Sequence, residues 1–137
     1  MKVLYNNCYG GFCFSDAFLA EYKTRTGQTI ENYKTIFRRG RQSIRCDPVA
    51  IAIVEEKGSE WASGSHSSIA IHEFPAVFDR YWEIEECEDG DEGIHFNISD
   101  AFADILHTFM ETRDLPALES QYAAIMDAKK SMAYLSC

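Results

Sequence analysis

The sequence predicts an α+β fold, a small mixed β-sheet packed against helices with a C-terminal helical hairpin. Three observations carry this expectation. Apolar segments of strand character recur near residues 2–6, 68–74 and 80–87, bounded by turn-forming residues. Ser15 and the pair Asp47-Pro48 stand where helices start, and Gly27 and Gly58 stand where they stop. Phe102, Ile105, Leu106, Phe109 and Met110 recur at helical spacing, and a second apolar set follows Pro116.

Taken in order, Lys2–Asn6 reads as a buried strand of Val, Leu and Tyr ending at the turn signal Asn6-Asn7. Gly10-Gly11 permits backbone angles closed to other residues. Ser15 or Asp16 then opens a helix that carries Phe18, Leu19 and Tyr22. Residues 28–46 are polar and irregular, with the basic run Arg38–Arg45. Val49, Ile51 and Ile53 alternate as in a strand, but Pro48 and Gly58 punctuate 47–57 as a helix. Residues 59–67 read as a small-residue loop around Trp61. The acidic turn at Asp89-Gly90 joins the third strand to a short fourth at 94–96. Ser99 is the expected cap of the next helix, and Leu118, Tyr122, Ile125 and Met126 share one face of the last. The 137 residues suit a single domain, an α+β core over 1–97 with the hairpin of 98–137 as an extension.

Composition narrows the function classes. With 46% hydrophobic residues the chain can bury a core, and no apolar run approaches a membrane span. Neither a signal-peptide pattern nor paired cysteine spacing is present, so Cys8, Cys13, Cys46, Cys87 and Cys137 read as reduced thiols of a cytoplasmic protein. Residues 1–45 hold eight basic side chains against three acidic, a net of +5, whereas 46–137 hold five against nineteen, a net of −14. An acidic remainder of that size repels a long nucleic acid. A small anion held locally by the basic third fits the split better.

Several residues could build such a site. Unpaired N–H groups around Asn7, Gly10, Gly11 and Ser15 lie at a helix N-terminus, where anions are favoured, although Asp16 competes for that position. Arg41 and Arg45 offer guanidinium forks for phosphate. Tyr9, Phe12 and Trp61 are candidates for stacking on a base, and Asp47 could orient Arg45 or accept from a ribose hydroxyl. The four histidines show no metal-ligand spacing, so neither metal nor cofactor is expected, and a Cys-His nucleophile drawn from Cys8 or Cys13 with His66 or His95 is the weaker option.

The stretch VLYNNCYGGFCFSDAF, followed by RCDPVAIAIVEEKG and the strand-like IAIHEFP and YWEIEE, resembles a small family of phage, bacterial and large-virus proteins. That family carries a YGGF-type loop and an R-x-D-P helix start, matched here by Tyr9, Gly10, Gly11, Phe12, Ser15, Arg45, Asp47 and Pro48. The resemblance spans roughly residues 1–90, implies a common fold, and pairs the glycine loop with Arg45 and Asp47 as two parts of one site. The expected function is a non-enzymatic, homo-oligomeric binding protein for a nucleotide-like anion. In a phage this would be an anti-defence sponge, acting in the host cytosol on a host defence signal. The alternatives are a hydrolase or transferase of a nucleotide-like substrate, using Asp16, Asp47 or a thiol, and an acidic protein-interaction module that inhibits a host protein.

Overall fold

The computed structural model describes residues 1–30 and 44–131. Strand β1 (Lys2–Asn6) pairs antiparallel with β2 (Ile69–Glu73), setting Val3 opposite His72 and Leu4 opposite Ile71. Strands β3 (Trp82–Glu86) and β4 (Glu92–Phe96) form a hairpin with Ile84 opposite Ile94. The class is α+β, as expected. Among the described residues the strands form two antiparallel two-stranded sheets, however, and not one mixed sheet.

The helices follow their punctuation. In α1 (Asp16–Thr26), the Ser15 hydroxyl accepts from the Phe18 N–H, and Gly27 closes the helix at a left-handed φ of 70°. In α2 (Pro48–Lys57), the Asp47 carboxylate accepts from the N–H groups of Val49 and Ala50. Ala50, Ile51, Ile53 and Val54 are all buried, so the alternation in this segment reflects a helix enclosed on most sides. Trp61 lies in a single helical turn, α3 (Ser59–Ala62), where the sequence suggested a loop.

Helix α4 (Ile98–Thr112) is capped by Asn97 and not by Ser99: the Asn97 side chain accepts from the Asp100 N–H at 3.1 Å. Starting there lets Ile98 pack against the core. The Tyr81 hydroxyl donates to Asp104 and ties α4 to the start of β3. Helix α5 (Leu115–Ser131) returns against α4.

Two cores meet at β1. Leu4 faces a cluster with Phe14, Phe18, Tyr22, Ile53 and Ile69 under α1 and α2. Val3, its neighbour in sequence, faces the opposite cluster of Phe74, Phe78, Trp82, Ile84 and Ile94, because successive strand residues point to opposite faces. Ala101 of α4 and Ile125 and Ala128 of α5 belong to this second cluster. The base of the hairpin therefore completes a core rather than hanging from it.

His72 faces the second core beside Val3 and stacks on Phe74 with ring centroids 6.1 Å apart. Its Nε2 is buried and has no hydrogen-bond partner among the described residues. Burial lowers its pKa from the usual 6.5. The neutral ring is favoured in the folded protein, so its stability contribution is complete above pH 6.5 and is lost as pH falls through the depressed folded-state value. Urea unfolding across pH 5–8 should show this loss, and His72→Phe should flatten it. An unchanged pH profile in that variant would show that His72 is not the group responsible.

Candidate functional site

The candidate site is built where the loop after β1 meets two others. Asn6 ends β1 fully buried, and its side chain works as a hub. Its Nδ2 donates to the carbonyls of Cys8 at 2.7 Å and Gly90 at 2.9 Å. Its Oδ1 accepts from the Ser68 N–H at 2.9 Å and the Ser67 hydroxyl at 3.1 Å. One amide thus fastens the glycine loop to the β3–β4 turn and to the segment before β2.

The glycines allow the loops to touch. Gly10 has φ 118°, and a Cβ added there would lie 2.2 Å from the His66 carbonyl oxygen. The Gly10 N–H donates to the Asp89 carbonyl at 3.0 Å. Gly90, at φ 83°, brings the opposing turn so close that a Cβ would stand 2.7 Å from the Gly11 nitrogen. Other amides of the segment are also spent inside the protein, Asn7 N–H on Ser68, Cys13 N–H on the Ser67 hydroxyl and Ser15 N–H on the Ala62 carbonyl. Ser15 itself caps α1 and donates its hydroxyl to the Trp61 carbonyl at 2.7 Å.

Arg45 lies against Phe12 of this loop. It is 2% exposed, and its Nη1 and Nη2 bind the two carboxylate oxygens of Glu92 at 2.6 and 2.8 Å. The guanidinium lies 3.8 Å from the centroid of the Phe12 ring, and Nη1 also donates to the Leu4 carbonyl at 3.3 Å. Glu92 accepts in addition from the Asn6 N–H at 2.8 Å. Met1 and Asn7, which flank β1, bond toward the β2 side, so by alternation the Leu4 carbonyl and Asn6 N–H lie on the other edge of β1. The Arg45–Glu92 pair takes these two groups as a neighbouring strand would.

The guanidinium fork that the sequence offers to a phosphate is held in this structure by a buried carboxylate. One oxygen of Asp47 caps α2 and the other accepts from the Tyr22 hydroxyl at 2.8 Å. Burial, reinforced by Asp47, pushes the Tyr22 hydroxyl up to about 12. Phe12 is core beneath Arg45, and Trp61 is half-buried against the first core with Lys57 5.6 Å from its ring. Asn7 and Tyr9 stand in solvent, Tyr9 at 73% exposure. Arg41 lies outside the described residues.

The thiols offer little to a nucleophilic mechanism. Cys8 Sγ lies 3.8 Å from the His66 carbonyl, a backbone group rather than the imidazole, and 3.2 Å from the Tyr9 carbonyl. Burial pushes the Cys46 thiol up to about 12, leaving it protonated at neutral pH. Cys87 is disulfide-bonded whereas Cys8, Cys13 and Cys46 are free, which corrects the expectation of five reduced cysteines. Among the described residues no group of three His, Cys, Asp or Glu side chains could hold a metal ion.

Asn6 and Glu92 are the two residues that sequence reasoning missed. Asn6 read as a turn signal, and nothing in the sequence sets Glu92 apart from its acidic neighbours. A lone buried arginine expected in a core would have called for a carboxylate partner, but nothing local in the sequence marks Arg45 as buried. Comparison with protein-family models, with curated proteins and with solved structures gave no match to this chain.

Removing one partner of the ion pair leaves the other charged and buried, which typically costs about 3–5 kcal/mol. Arg45→Ala and Glu92→Ala should each lower unfolding stability by about that amount, while the paired apolar change Arg45→Met with Glu92→Leu, which orphans the Leu4 carbonyl and Asn6 N–H but leaves no unpaired charge, should cost less than the two single losses added. A paired loss equal to that sum, measured in urea, would refute the coupling. Gly10→Ala should cost about 1–3 kcal/mol through its strained φ, and the collision with His66 adds to that cost. Gly11→Ala, whose Cβ meets open space, should cost less, and the same unfolding curves check the order.

Proposed function

We propose that this chain is a non-enzymatic protein-interaction module that docks through the α4–α5 hairpin. One observation carries the proposal. Of the five large apolar side chains that stand exposed among the described residues, four are on the hairpin: Leu106 at 54%, Met110 at 65%, Leu115 at 51% and Tyr122 at 52%. Between the helices runs an open apolar groove of about 480 Å³, lined by Phe102, Ile105, Leu106, Leu118, Tyr122 and Met126 with Glu119 at its rim. Clustered apolar exposure with a polar rim is characteristic of docking surfaces.

The glycine loop gives weaker support to a small-anion site. Its principal cation is neutralised by Glu92, and the acidic turn at Asp89 leans against the loop amides. A nucleotide would have to displace contacts that hold the fold together.

A fluorescent naphthalene sulfonate dye, used on dilute protein, should bind the native chain. Binding should be lost in a Leu106→Glu, Tyr122→Glu variant whose thermal transition is kept. In parallel, a panel of nucleotides incubated with the protein and recovered after denaturation should be neither retained nor converted. Retention of a nucleotide would favour the sponge, conversion would favour an enzyme, and dye binding indifferent to the hairpin substitutions would remove the docking surface.

A further inference from the structure

Resting on the hairpin as the docking surface, we infer that its partner is a second copy of this chain, paired about a two-fold axis with the two α5 helices antiparallel. The charge pattern along one strip of α5, whose Glu119, Tyr122 and Met126 line the groove, points to this pairing. Glu119, Tyr122, Met126 and Lys130 recur at i, i+3, i+7 and i+11, which places all four on one side of the helix. The strip is apolar in the middle and oppositely charged at its ends, the two charges about 16 Å apart along the axis. All of these residues except the half-buried Met126 are exposed, and neither Glu119 nor Lys130 has an ion pair among the described residues.

An isologous contact makes residue i meet j while j meets i. With the axis passing between residues 124 and 125, Glu119 of each copy faces Lys130 of the other, and Tyr122 comes within one residue of register with Met126. A parallel arrangement would set Glu119 against Glu119 and Lys130 against Lys130, so the charges select the antiparallel one. The groove supplies the rest. Tyr122 already leans on Phe102 with ring centroids 5.5 Å apart, and Leu106 on α4 forms the opposite wall that a partner's Met126 would meet. The assembly is a four-helix bundle made from two helical hairpins, which buries an apolar stripe that α4 and α5 leave half covered.

Sedimentation equilibrium of the full chain over a wide concentration range tests this. The native protein should form a reversible dimer. Glu119→Lys and Lys130→Glu should each raise the dimer dissociation constant about ten-fold, since each places two like-charge pairs in the seam. An equimolar mixture of the two single variants should recover native affinity as a heterodimer, because both cross-seam pairs are again opposite in sign. Thermal melts confirm folding of these surface variants. A dimer insensitive to both substitutions, or not rescued by mixing, overturns the inference. A chain monomeric at every concentration that still binds the dye at the hairpin also overturns it but leaves the docking surface standing. A monomer that does not bind the dye removes both.

Discussion

Everything in the glycine-loop half of the molecule depends on one buried ion pair. Arg45 and Glu92 come from segments 47 residues apart, and each binds the exposed edge of β1 as well as the other. The edge of a two-stranded sheet is otherwise a row of unpaired backbone groups, open to any strand that arrives. The side-chain pair takes two of those groups, the Leu4 carbonyl and the Asn6 N–H, without adding a strand. Burying two charges is costly, but the bidentate geometry, the Phe12 ring and the backbone partners compensate on every side.

The same pair determines what the glycine loop can do. With Glu92 fixed at the start of β4, the turn preceding that strand is brought against Gly10 and Gly11, and Asn6 is enclosed between them. Glycine is needed here because backbone approaches backbone, the close contact that also makes a phosphate cradle. What fills the space is another loop of the same chain. The loop is a fastening, and it joins the two cores that β1 separates.

Much of this was legible in the sequence wherever the signal is local. Ser15, Asp47, Pro48, Gly27 and Gly58 mark helix ends through hydrogen bonds that span only a few residues, and they mark them correctly. Asn97 displaced Ser99 as a cap because two adequate caps stood two residues apart and the burial of Ile98 decided between them. What local signals cannot carry is pairing at a distance. Counting Arg45 with the basic third and Glu92 with the acidic remainder made the chain look polarised toward an external anion, whereas these two charges neutralise each other inside it. Ile125 was grouped with the hairpin's shared face by period, yet it turns to the core while Tyr122 stays in solvent, a division that depends on where the helix meets the body.

The contrast between the two halves has a physical consequence for how the molecule meets others. Around β1, two groups of a strand edge, several loop amides and a guanidinium are bonded within the protein, and the fold relies on a buried charge pair. Along α4 and α5 the opposite holds. The helices have sufficient length and caps to form, but only their base is packed, and the apolar stripe of α4 continues past the core with no cover. A helix stripe contributes stability only where it is buried, so the outer turns of the hairpin gain from any surface that covers them. An apolar helical face left open in this way favours association by helix packing, and the opposite charges at the two ends of α5 set the direction in which that packing runs.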